Sequence, residues 1–79
     1  MNLKQYIEHL GRGGSKELAE KLGISRSFLS QLASGKAPIS PVRCVEIENE
    51  TYGNVTRKDL RPVDWEKIWP ELNSNNGQQ

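Results

Sequence analysis

The sequence predicts an all-α domain, and three observations carry that prediction. Apolar residues recur at three- and four-residue spacing in successive segments, beginning with Leu3, Tyr6, Ile7 and Leu10, which is the period of a helix with one buried face. No stretch shows the apolar–polar alternation of a half-buried strand. The periodic segments are punctuated by capping residues such as Asn2, Ser25, Ser40 and Thr56 in front, and by Gly11, Gly23 and Gly35 behind. The expected architecture is a compact bundle of about five short helices.

The first helix should run from the cap Asn2 to Leu10, with Gly11 as its stop. The permissive linker GRGG follows, and Ser15 or Gly14 can cap the second helix, KELAEKLG, in which Leu18, Ala19 and Leu22 form the buried side. Gly23 ends it, Ile24 crosses a very short turn, and Ser25 caps a third helix that reaches about Ser34 before Gly35. After the loop ASGKAPIS, Ser40 with Pro41 is a strong start signal. The fourth helix has a broad apolar stripe of Val42, Cys44, Val45 and Ile47, and Tyr52 with Gly53 closes it. Thr56 caps one further turn, RKDL, halted by Pro62. Asp64 caps a last short helix, WEKIW, with Trp65, Ile68, Trp69 and Leu72 on one side. Residues 1–72 therefore read as one domain. The tail NSNNGQQ, residues 73–79, has no apolar residue and is expected to be disordered.

Composition excludes several classes of function. A chain of 79 residues leaves little room for a deep catalytic pocket. Its single Cys44 cannot form an intrachain disulfide, and His9 beside one cysteine cannot complete the usual four-ligand zinc site. Cys44 falls on an apolar stripe and reads as core, and His9 reads as solvated. GRGGSK lacks the Gly-Lys-Ser order of a phosphate loop. With no acid–base pair and no activated nucleophile, the chain is expected to be neither an enzyme nor a cofactor carrier. No apolar run approaches the ~18 residues of a membrane span, and MNLKQYIEHL lacks the layout of a signal peptide, so a cytoplasmic protein without membrane contact is expected.

The net charge of +1 is unevenly spread. Met1 to Arg43 carries seven basic residues against three acids, and the remainder carries four against seven. That asymmetry suits one face that meets a polyanion and another kept away from it.

The segment GISRSFLSQL raises the sharpest question, because Ser25, Ser27 and Ser30 are poor choices for a solvated helix face. Ala19, four residues before Gly23, supplies the small residue two steeply crossing helices need, and Gly23 supplies the sharp turn. That is the plan of a helix-turn-helix, whose second helix enters a major groove. A groove about 12 Å wide favours short side chains plus a few that read base edges. Serines allow close approach, while Arg26 suits guanine and Gln31 suits adenine. Ser25, Ser27 and Ser30 can bond a base edge or a phosphate, Ser15 and Lys16 can bring helix N–H groups to a phosphate, and Lys36 can reach the backbone on the other side. Phe28 is expected between the third and fourth helices.

SKELAEKLGISRSFLSQLASGKAPIS resembles the helix-turn-helix of the lambda Cro-like repressor family, in which an Ala, a Gly-Ile-Ser turn, an apolar pair and a trailing Gly-Lys recur in this order. The likeness extends from about Leu3 to Gly53. The following segment is similar to the short Cro-like and YdaS-type prophage regulators, with their T-x-x-[DE]-L-R-P motif followed by a Trp, here TRKDLRP and Trp65. The resemblance implies a lambda repressor-like DNA-binding fold and a Cro-like repressor of phage or prophage type. It implies base-reading roles for Arg26, Ser27, Ser30 and Gln31, and backbone roles for Ser15, Lys16, Ser25 and Lys36. At Ser15, where Gln is frequent in the family, this chain departs.

A module of this size contacts few base pairs, so binding as a homodimer to an inverted repeat in double-stranded DNA is expected. Tyr52, Trp65 and Trp69 are the candidates for a dimer or partner surface. The two tryptophans can instead close the core, a role that suits Trp65 better. The rival expectation is an antitoxin-like module that binds a co-encoded protein through this Trp-bearing face.

Overall fold

The computed structural model describes residues 1–72, and the expectation for 73–79 lies outside the described residues. Six α-helices follow one another: α1 (Leu3–Leu10), α2 (Gly14–Leu22), α3 (Arg26–Ser34), α4 (Pro41–Glu50), α5 (Arg57–Leu60) and α6 (Trp65–Ile68), with a 3-10 turn at Pro70–Leu72. Among the described residues there is no strand. Among the described residues no helix is long and apolar enough to cross a membrane.

The caps decide where each helix starts. Asn2 accepts from the Gln5 N–H at 2.8 Å while the Gln5 side chain accepts from the Asn2 N–H at 3.1 Å, a reciprocal capping box. Ser25 and Ser40 cap α3 and α4 through the N–H groups of Phe28 and Arg43. Thr56 and Asp59 form a second capping box at α5. Two expected caps are not made. The helix α2 begins two residues earlier than the expected KELAEKLG, after Gly13 in a left-handed conformation, and no side chain caps it, so Gly14 and Ser15 are helical residues. Gly14 is demanded by packing, because a Cβ there would lie 2.3 Å from the Cβ of Leu10. Asp64 precedes α6 without capping it, because its carboxylate is taken by Arg61 at 2.8 and 3.0 Å.

One apolar core joins the helices, built from Leu3, Leu18, Ala19, Leu22, Leu29, Leu32, Ile47 and Val55. Tyr6, Ile7, Ile24, Phe28 and Leu60 pack against its edge. Leu10 and Val42 of the predicted stripes are exposed, Val42 at 70%, while Val45, Trp65 and Ile68 are half-buried outside this cluster. Val55 enters the core from the loop before α5 and is fully buried, forming with Leu60 the apolar pair that brackets the Thr56 cap. Thr51, also fully buried, ties the end of α4 to that loop, donating to the Ile47 carbonyl at 2.8 Å and accepting from the Val55 N–H at 3.1 Å.

The tryptophans reverse their expected order. Trp69 is the buried one, 9% exposed, and Trp65 is half-buried. Both lie under cations from α5: the Arg57 guanidinium carbon is 5.3 Å from the Trp69 ring centre, and Lys58 Nζ is 4.5 Å from that of Trp65. Arg57 Nε also lies 2.7 Å from Glu48 Oε1, an ion pair rather than an aligned hydrogen bond.

Candidate nucleic-acid interface

The turn between α2 and α3 sets the geometry of the interface. Gly23 adopts φ 73°, its N–H bonds back to Glu20, and the Ile24 N–H reaches the Ala19 carbonyl at 3.0 Å. This closure lets α3 leave α2 at once, and Ala19, 1% exposed, provides the close contact that the crossing needs. Helix α3 then buries Leu29 and Leu32 and leaves Arg26, Ser27, Ser30 and Gln31 exposed. The four predicted base readers thus share one solvent-facing ridge, backed by the core.

The predicted backbone contacts flank that ridge. Ser25 uses an oxygen lone pair on the Phe28 N–H at 3.0 Å, which leaves its hydroxyl proton free to donate. Ser15 and Lys16 lie in the first turn of α2, where no side-chain cap competes for the helix N–H groups. Lys36 follows the left-handed Gly35, with its own N–H bonded to the Gln31 carbonyl at 3.0 Å. Its side chain is exposed.

A cleft of about 590 Å³ runs beside the ridge between α1 and α3, and Lys4, Ser15, Arg26, Ser27 and Ser30 line it over a floor that includes Ile7. Sequence reasoning assigned no such role to α1, because periodicity shows which residues face inward but not which neighbour's polar face stands beside them.

Two arginines outside the ridge brace it; the sequence showed Arg43 only as charge and Arg61 only as part of the TRKDLRP motif. Arg43 on α4 donates from Nη1 to the Leu22 carbonyl at 2.9 Å, satisfying a carbonyl at the end of α2 just before the turn. Arg61 donates to the Ile39 carbonyl in the loop after α3 and grips Asp64 with the rest of its guanidinium. The hydrogen-bonded Arg61 guanidinium holds the Asp64 carboxyl below the usual range. Cys44 is fully buried, its sulfur faces the Ile39 carbonyl at 3.9 Å, and burial pushes its thiol up against a smaller opposing effect of Arg61.

The distribution of ion pairs separates the two halves of the chain. The described residues form four side-chain or terminal ion pairs, and the side-chain cations in them are Arg43, Arg57 and Arg61. Among the described residues Lys4, Arg12, Lys16, Lys21, Arg26 and Lys36, all preceding α4, take no part in any, whereas after α4 only Lys58 and Lys67 take none.

Of the three residues expected at a partner surface, Tyr52 is 82% exposed at φ 54°, Trp65 is half-buried and Trp69 is spent on the interior.

Comparison with known proteins finds relatives of this chain. A curated relative from Escherichia coli (strain K12), described as "Putative transcriptional regulator YdaS", is 37% identical over 54 residues, 67% of this chain and 55% of the relative. The chain thus spans about half the length of that relative. The family model described as "Bacterial toxin YdaS" matches residues 3–68, from the start of α1 to the end of α6. The chain belongs to the YdaS family.

Proposed function

We propose that this chain is a sequence-specific DNA-binding transcriptional regulator that lays α3 in the major groove of an operator and blocks access of RNA polymerase. The observation that carries the reading is the ridge of Arg26, Ser27, Ser30 and Gln31, exposed on a helix whose opposite side is the core. Short hydroxyls permit approach of the backbone, Arg26 offers a planar fork for guanine, and Gln31 offers donor and acceptor for adenine. The unpaired cations before α4 supply the sequence-independent attraction to phosphates. The regulator named among the relatives supports the same reading.

In this reading the protein works in the cytoplasm without cofactor or catalysis, and as a homodimer on an inverted repeat. A single ridge of this size reads few base pairs, and pairing supplies the remaining affinity. Tyr52 and Trp65 are the members of the expected partner surface with area to offer. The family description names a toxin, an effect on cells that occupation of the wrong promoter could produce without any enzymatic step. The alternative, antitoxin-like capture of a co-encoded protein, is favoured by one observation: Tyr52 is 82% and Val63 94% exposed, both outside the helix-turn-helix.

Selection of bound duplexes from a randomised library tests the proposal. Enrichment of an inverted repeat whose half-site preference collapses in Arg26→Ala supports it. No enrichment, alongside partner capture lost in Tyr52→Ala, would replace it with the interaction reading.

A further inference from the structure

The cleft between α1 and α3 contains one acid. Glu8, exposed on the last turns of α1, lines it together with Arg26, Ser27 and Ser30. A carboxylate beside a surface meant for phosphates weakens binding by like-charge repulsion, so its presence there calls for a function. Lys4 lies on the same helix four residues earlier, and a Lys preceding a Glu at that spacing is the less favourable order. The other cation lining the cleft is Arg26.

We infer that Glu8 is a positioning residue for Arg26: across this cleft its carboxylate takes one edge of the guanidinium when the ridge is docked and presents the other to guanine. This rests on the DNA-binding reading above. In the free protein neither residue belongs to an ion pair among the described residues, and water screens the two charges from each other. Docking removes that water and raises the attraction. Arg suits the role better than Lys4 because its planar fork can be shared between a carboxylate on one edge and O6 and N7 on another, whereas an ammonium is a point charge.

The test is a coupling experiment on base preference, using selected duplex DNA and its single-base variants. Glu8→Gln should relax preference at the base pair that Arg26→Ala relaxes, by roughly threefold to tenfold, and should do nothing further in the Arg26→Ala background. Glu8→Asp should be intermediate. Glu66→Gln on α6 makes the same change in net charge and should leave preference intact, which separates positioning from bulk electrostatics. If Glu8→Gln keeps the wild-type preference, or its effect adds fully to that of Arg26→Ala, the inference fails while the functional reading stands. A wild-type chain that enriches no sequence overturns both.

Discussion

The helices before Arg43 and those after Ser40 spend their charges in opposite ways. In α1 to α3 the apolar core does the holding, and six cations remain outside any ion pair among the described residues. From α4 onward Arg43, Arg57 and Arg61 are each committed to a carboxylate and to a second partner, and Lys58 lies over Trp65. Helices α5 and α6 have four residues each, too short to stand by propensity. Cation–π contacts and ion pairs take up that load. The lesson is that the cations of one half stay outside ion pairs, whereas in the other half the arginines, though not Lys67, are built into the scaffold.

The contrast should disappear in the shared core, where the largest effects are expected. Leu29→Ala in α3 and Ile47→Ala in α4, at sites 1% and 0% exposed, should each cost about 2–5 kcal/mol of stability. Urea denaturation should show both halves lost in one transition; separate transitions would break the picture of a single domain. Next in size, Arg26→Ala should weaken operator binding by about 1–3 kcal/mol while moving stability by less than about 0.5 kcal/mol.

Arg57→Ala is its counterpart in the other half. It removes the ion pair to Glu48 and the cation over Trp69, and should lower stability by about 1–2 kcal/mol with base preference unchanged. A preference shift there, or a stability loss in Arg26→Ala, would dissolve the distinction between the halves. Smaller still, Lys36→Ala should weaken binding to all sequences alike and reduce the salt slope of log K by about 1. Mobility shifts across a salt series read that slope.

Acid should destabilise the domain through carboxylates of the second half. Partial burial works against the Asp59 carboxylate, but the N–H and hydroxyl of Thr56 and the Met1 amine outweigh it, and the guanidinium of Arg61 acts on Asp64, so both carboxyls titrate below their usual range. The unfolded chain then takes up protons first as pH falls. The stabilisation they contribute is complete above the ordinary carboxylate range and disappears as pH drops through the folded values. Thermal melts between pH 5 and pH 2 should therefore show a smaller acid-induced fall in Asp64→Asn than in the wild type.

Much of this was readable from the chain because the starts of α1, α3, α4 and α5 obey local rules, whereas α2 starts without the expected cap. Asn2, Ser25, Ser40 and Thr56 cap where expected, and Ala19 with Gly23 places the turn. Failures arose where a local signal met a distant partner. Asp64 has the chemistry of a cap, but Arg61 claims its carboxylate. The burial of Trp69 depends on Arg57 and on the path of the chain after Leu60, neither of which periodicity reveals. Val55 was within reach: an apolar residue directly before a Thr-x-x-Asp cap, with Leu60 four residues beyond Thr56, is the pattern of an apolar pair that closes a helix start. In the interface, the ridge was legible as too many serines on one face. The contribution of α1 was not, since it depends on how α1 crosses α3.

The most direct measurement is an amide chemical-shift titration of the folded chain with a selected duplex. The account predicts that shifts concentrate from Ser25 to Gln31, with smaller changes at Ser15, Lys16 and Lys36, and that Tyr52 to Val63 responds only on pairing. Shifts confined to the surface from Tyr52 to Val63, with α3 silent at saturating DNA, would contradict it.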